Sequence, residues 1–219
     1  MKGDVYYTAI FPSLFSIPVL MNLNKKALLL SYFTVFYNII EGIFSIIAGI
    51  LAGGSIALIG FGLDSFIESL SGGIMIWRFS KHGKISEEEE EKAEKTATKL
   101  VGITFLILGA YILYESIKKI WLREIPEPSL FGIIIAIVSI IIMPILFLAK
   151  FRTGKALNSN SLIADSKETL TCVFLSIALL IGLGLNYLFG LWQADPIVGF
   201  VIVAFLLREG IEIIKGEDE

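Results

Sequence analysis

Two acidic residues, Asp64 and Glu168, stand inside long apolar stretches, and each is followed four residues later by a second side chain able to bind a metal ion, Glu68 and Cys172. The surroundings repeat. Ser55-Ile-Ala-Leu58 opens one copy and Ser159-Asn-Ser-Leu162 the other, with the acids nine residues after each serine and the second ligands thirteen after. On a helix, side chains four apart share a face and stand about 6 Å from one another. An ion bonded at about 2.0–2.3 Å to oxygen or sulfur can be gripped by both. Four donors from two facing helices would make a tetrahedral site. Left empty in a low dielectric, such a set carries repelling negative charges, so some of its groups must hold protons. Metal binding would expel those protons.

The elements that must position these pairs are membrane spans. Of the 219 residues, 55% are hydrophobic and 18% charged, and the mean hydropathy is +0.79. Soluble domains are rarely so apolar. Stretches at about 27–51, 54–78, 97–120, 129–150, 160–186 and 194–214 are each long enough to cross a hydrocarbon core of about 30 Å. The fold class expected is an all-α membrane protein, a six-transmembrane-helix bundle. Its parts are an N-terminal segment over 1–26, read as interfacial because Pro12 and Pro18 interrupt it, the bundle over 27–215, and a short tail over 216–219. With so short a tail, function is expected in the bundle and its loops. The single cysteine excludes an internal disulfide or a cysteine-only cluster.

Basic residues set the orientation. One side of the six stretches receives Lys2, Lys25, Lys26, Arg78, Lys81, Lys84, Lys92, Lys95, Lys99, Lys150, Arg152, Lys155, Arg208 and Lys215; the other receives Lys118, Lys119 and Arg123, while Lys167 lies inside the fifth. The positive-inside rule places both termini in the cytoplasm, which requires an even number of spans. Asp64 then lies about 15 Å deep, and the second and fifth spans run antiparallel, so both pairs meet near mid-membrane.

Other polar residues fall into place around them. Asp165 shares the helical face of Glu168 and Cys172; it reads as an outer carboxylate supporting the ligands, a staging ligand, a partner of Lys167, or a cap on the bundle near the cytoplasmic entrance. Asn38 and Glu41 form a polar patch on the first span, lining the path or hydrogen-bonding to the second span. Ser65, Ser69 and Gly73 form a small-residue stripe that suits close helix packing. Ser86 and Glu89 have the form of a capping box, so the third span starts as a solvated helix, and the acidic run after Ser86 reads as a solvated face. Asp195-Pro196 reads as the N-cap and first turn of the sixth span. Pro144 is expected to kink the fourth. Trp77, Trp121 and Trp192 read as interfacial anchors, and His82, the only histidine, as a solvated loop residue.

Asp64-Ser-Phe-Ile-Glu68, Glu168-Thr-Leu-Thr-Cys172, Ser55-Ile-Ala-Leu58, Ala164-Asp165-Ser166 and Trp192-Gln-Ala-Asp-Pro196 together resemble the transmembrane domain of the cation diffusion facilitator, or cation efflux, family, over about residues 28–210. The resemblance implies six spans, cytoplasmic termini, a homodimer, and a metal site on spans two and five built from Asp64, Glu68, Glu168 and Cys172. Two departures stand out. The family's fifth-span pair is commonly His-x-x-x-Asp, and its usual cytoplasmic metal-sensing domain has no counterpart in this sequence.

The function expected is a divalent cation transporter exporting metal from the cytoplasm in exchange for protons. The ion expected is zinc, with cobalt, cadmium, iron and manganese as other candidates, and no further cofactor is expected. A thiolate at Cys172 would favour borderline or soft ions. The alternative is a metal-binding membrane protein that senses or assembles without transporting. The partners expected are the metal ion, protons and membrane lipid, with no nucleic acid, and the location is the plasma membrane if the source is prokaryotic. The sequence carries no metalloprotease His-x-x-x-His or Gly-x-Ser-x-Gly motif, so no enzyme is expected.

Overall fold

The computed structural model describes residues 23–81, 86–123 and 125–215. The described residues form helices and no strand: α1 Leu23–Leu51, α2 Ile56–Lys81, α3 Glu87–Leu122, α4 Leu130–Leu157, α5 Asn160–Phe189 and α6 Ala194–Lys215. Four of these, α1, α2, α4 and α5, are long and apolar enough to cross a membrane. Most of the N-terminal segment, His82 and the tail 216–219 lie outside the described residues.

The helices are inside-out relative to a soluble bundle. The buried face of α1 consists of small and polar residues, including Ser31, Thr34, Asn38, Glu41 and Ser45. Its outer face exposes Phe33, Phe36, Ile40, Phe44 and Ile50. In water this arrangement would leave a large apolar surface exposed. In lipid it buries the polar groups and solvates the apolar ones, as a membrane bundle requires. The chain is an integral membrane protein.

The two serines that open the sequence repeat do the same job. Ser55 Oγ accepts from the Leu58 N–H at 3.3 Å, and Ser159 Oγ accepts from the Leu162 N–H at 3.4 Å. Each thus satisfies an otherwise orphaned donor at a helix start. The preceding helices approach closely at a glycine in both copies. A Cβ on Gly49 would fall 2.7 Å from Ile59 Cγ1, and one on Gly154 would fall 3.0 Å from Ile163 Cγ1. Helix pairs α1–α2 and α4–α5 are therefore equivalent hairpins, and they make the densest contacts together with the pair α3–α6. α2 is central: it touches α1, α3, α5 and α6. The apolar core around Leu58, Phe61, Ile112, Leu179, Ile202 and Leu206 joins the hairpins to α3 and α6.

The closest α1–α2 approach is made by glycines outside the expected small-residue stripe, whose Ser65 does reach α1. Gly42 and Gly62 face each other so tightly that a Cβ on either would lie 2.8–2.9 Å from the other's carbonyl oxygen, and Gly72 lies against Thr34 and Val35. Gly73 has no neighbour within 4 Å of a built Cβ, so it is off that seam. Ser65 and Ser69 turn their hydroxyls back to the Phe61 and Ser65 carbonyls, each at 3.0 Å.

The helix ends also differ from the apolar stretches. α3 starts ten residues before its expected stretch, held by the Ser86–Glu89 capping box, with both reciprocal hydrogen bonds formed. α4 runs through Pro144 and continues past residue 150 to Leu157, because Thr153 and Gly154 are still buried against α5. Asp195 is not the N-cap of α6. It lies in that helix's first turn, and its carboxylate reaches the start of α2 instead.

Candidate metal site

The repeat of the sequence becomes a shared cavity. Asp64 and Glu68 on α2 and Glu168 on α5 line one cavity of about 20 Å³, closed by Phe105, Leu175, Phe205 and Leu206. That is space for about one water molecule or ion. Asp64 is 8% exposed and Glu68 5%. One oxygen of Glu68 and one of Glu168, Oε2 in each case, has no hydrogen-bond partner among the described residues. Buried acceptors without partners are costly, so these two oxygens are where a cation gains most.

The expected fourth ligand is close to the acids but not in the cavity lining. Cys172 is 1% exposed and belongs to the apolar core, not to the cavity wall. Among the described residues no three His, Cys, Asp or Glu side chains are placed to hold an ion together. The structure gathers Asp64, Glu68 and Glu168 around one space without closing them into a tetrahedron.

A further carboxylate, Glu209 on α6, lines the same cavity, with the Thr171 hydroxyl 3.5 Å from its Oε1. Sequence reasoning missed it. An acid directly after Arg208 near a helix end reads as interfacial charge, and only the facing of α6 turns it inward. Glu209 is half-buried and lies toward the bundle end that carries the C-terminus of α6.

Behind Glu68 lies a polar chain that crosses three helices. Thr169 Oγ1 donates to Glu68 Oε1 at 2.7 Å, and Lys150 Nζ donates to Thr169 Oγ1 at 2.9 Å. Lys150 Nζ also lies 2.9 Å from Asp165 Oδ2 and 4.0 Å from Glu68 Oε1. Ser71 Oγ donates to Asp165 Oδ1 at 3.3 Å. This corrects one expectation and narrows the open readings of Asp165. Lys150 is not a loop charge but is wholly buried on α4. Asp165 pairs with it, and Lys167 is exposed.

On α1, Asn38 is wholly buried and Glu41 is 4% exposed. Glu41 accepts from Tyr37 Oη at 2.8 Å and from Ser65 Oγ at 3.1 Å, so it ties α1 to α2. Neither Asn38 nor Glu41 lines the cavity.

The far end of the bundle is tied together by an ion pair and a set of hydrogen bonds. The Asp195 carboxylate accepts from the Ser55 hydroxyl and from the Ile56 N–H, the latter at 3.0 Å, and so caps α2 from α6. Lys119 on α3 is 1% exposed, lies 3.5 Å from Asp195 Oδ2 and donates to the Gly54 carbonyl. Lys119 too is therefore an interior residue and not a loop charge. The Glu127 N–H adds a bond to the Ala52 carbonyl at 2.9 Å, and Asn186 Nδ2 donates to the Pro126 carbonyl at 3.3 Å. With Lys119 and Lys150 set aside, the remaining basic residues keep the same asymmetry between the two ends.

Comparison with known proteins bears on the same region. Transmembrane protein 163 of Xenopus laevis is 27% identical over 194 residues, which cover 88% of this chain and 68% of that protein. An uncharacterized transporter of Synechocystis sp. is 24% identical over 166 residues, 74% of this chain and 54% of that one. Magnetosome protein MamB of Paramagnetospirillum magneticum is 24% identical over 168 residues, 75% and 56% respectively. The chain thus spans a little over half the length of the last two. Residues 31–216 match the cation efflux transmembrane domain. That match takes in all four acids of the cavity and the whole of α2 to α6, and the chain belongs to the cation efflux family.

Proposed function

We propose that the chain carries a divalent metal cation across the membrane in exchange for protons, releasing it from the cytoplasm. The observation that carries this reading is the single cavity lined by Asp64, Glu68 and Glu168, with two carboxylate oxygens lacking partners. A divalent ion there would satisfy both oxygens and displace the protons that neutralise the empty site. Family membership and the word transporter in the name of the Synechocystis relative support the same direction.

With six spans and the basic asymmetry of the loops, both termini and the Glu209 end of the cavity face the cytoplasm. The Ser55–Asp195–Lys119 end then faces outward. In this arrangement an ion enters past Glu209 and Thr171, while the outward end is tied together. Because Cys172 lies off the cavity wall, the donors at hand are oxygens. Zinc remains the leading ion, since it accepts carboxylate ligands, and manganese or iron(II) gains ground over cadmium because carboxylates suit harder ions.

The test is flux in sealed proteoliposomes with an imposed pH gradient, comparing wild type with Asp64→Ala, Glu68→Ala and Glu168→Ala. Metal-dependent flux that collapses in these variants is expected. Unchanged flux in the Asp64 and Glu168 variants sinks the site. Zinc binding without flux in the wild type favours a non-transporting metal-binding membrane protein.

A further inference from the structure

We propose that Lys150 is a specificity-determining residue of this site: a tethered cation that shares the Glu68 carboxylate with the divalent ion and sets how much negative charge the site offers it. The proposal rests on the metal site described above and adds a residue from α4, a helix that contributes nothing to the cavity wall.

A wholly buried ammonium needs a counter-charge and hydrogen-bond acceptors. Lys150 has both on α5: Asp165 at 2.9 Å and Thr169 at 2.9 Å. Its second carboxylate, Glu68, lies farther away at 4.0 Å, and Thr169 bridges the two by donating to the same Glu68 oxygen. The two oxygens of Glu68 are therefore unequal. Oε1 faces the Thr169–Lys150 side, and Oε2 has no hydrogen-bond partner among the described residues. One carboxylate serves two cation positions, of which the ammonium fills one and leaves the other to the ion.

Asp165 is the balance in this arrangement. As long as it holds Lys150, Glu68 keeps most of its charge for the metal. Without Asp165, the ammonium swings its full charge onto Glu68 and competes with the ion. Without Lys150, Glu68 and Asp165 lose their counter-charge, and the region attracts cations more strongly. The two single substitutions must then act in opposite directions. A mere structural brace between α4 and α5 would make both act in the same direction.

The experiment titrates zinc ion into the purified full chain in lipid nanodiscs by calorimetry, for wild type, Lys150→Met, Asp165→Asn, the double variant and Lys150→Arg. Lys150→Met is expected to tighten zinc binding roughly tenfold and Asp165→Asn to weaken it roughly tenfold, the order expected of one unit charge placed, like Lys150, 4.0 Å from a carboxylate of the site. The double variant, which removes the pair without leaving a net charge, is expected to return to within about threefold of wild type. Lys150→Arg keeps the charge and is expected to bind like wild type. If Lys150→Met fails to fold, the comparison of the double variant with Asp165→Asn carries the test, since restored affinity has no explanation in packing alone. Both single variants weakening zinc, or neither shifting it, overturns the proposal. Failure of Glu68→Gln to alter zinc binding while wild type binds overturns the underlying site instead. A wild type that binds no zinc overturns both.

Discussion

Thr169 and Glu68, 101 residues apart in sequence, meet through a 2.7 Å hydrogen bond in which the threonine hydroxyl donates to Oε1. The bond joins the two helices that carry the repeated acids, and it occurs where both partners are buried. Thr169→Val would leave Glu68 Oε1 without its donor and Lys150 with one acceptor fewer, Asp165 remaining. Stranding such buried groups costs about 1–3 kcal/mol. Thermal unfolding in detergent is expected to fall accordingly for Thr169→Val, while Thr169→Ser, which keeps the hydroxyl, stays within about 0.5 kcal/mol of wild type.

The far end offers a second check. Lys119 and Asp195 are both nearly unexposed, and Asp195 also caps α2. Removing one member of a buried pair strands the other, at a cost of about 3–5 kcal/mol. Lys119→Met and Asp195→Asn are each expected to lower stability by that order. The double variant is expected to lose less than the sum of the two single losses by at least about 0.5 kcal/mol. A chemical unfolding cycle measures this coupling, and strict additivity would exclude the pairing.

Glycines on α2 supply a control built into one helix. Gly62 meets the Gly42 carbonyl at 2.8 Å from a built Cβ, whereas Gly73 meets nothing. Gly62→Val is expected to destabilise the hairpin by about 1–3 kcal/mol or more through overpacking. Gly73→Ala is expected to be neutral or slightly stabilising, because alanine is the better helix former by about 1 kcal/mol. Equal losses at the two positions would contradict the α1–α2 geometry.

Glu209 lines the cavity, half-buried and near Thr171, and in the function proposed it is the first carboxylate an entering ion meets. A charge at a channel mouth concentrates counter-ions without altering later steps. Glu209→Gln is expected to raise the half-saturating metal concentration of flux about threefold with maximal flux unchanged, and the difference is expected to shrink as salt rises above about 0.1 M. A loss of maximal flux alone would place Glu209 elsewhere in the cycle.

Cys172 is a natural reporter because it is the only cysteine of the chain. Its place in the apolar core leads to slow labelling by a water-soluble maleimide and little protection by zinc. Cys172→Ser is expected to change zinc affinity less than about threefold, well short of the roughly 10–100-fold that disturbing metal-site partners brings. Fast labelling that zinc blocks would restore the thiol to the ligand set.

Much of this architecture was legible in the chain, for a reason that separates local from distant information. Asp64, Glu68 and Glu168 declare themselves because an acid inside an apolar run is costly wherever the helix sits. Ser55 and Ser159 declare themselves because a cap acts on the N–H groups just after it. Ser86 and Glu89 are legible for the same reason. Lys119 and Lys150 were not legible. A lysine near the end of an apolar stretch reads as a residue reaching for water, and only Asp195 and Asp165, each on another helix, turn it inward. The same holds for Gly62 against Gly73, since both are small and on one helix, and the neighbour alone distinguishes them. Cys172 illustrates the converse: the repeat gives its offset, but only the packing of α5 shows that its side chain is buried in the core and does not line the cavity.

The mutual contact of Gly42 and Gly62 has a mechanical consequence. Two backbones in direct contact leave no side chain between them to give, so α1 and α2 pack as one tight unit, and α4 with α5, in contact at Gly154, forms the second. Asp64 and Glu68 ride on the first unit and Glu168 on the second. In the function proposed, an ion would then lie on the parting line between units, and gripping or releasing it would be the same event as drawing them together or letting them separate.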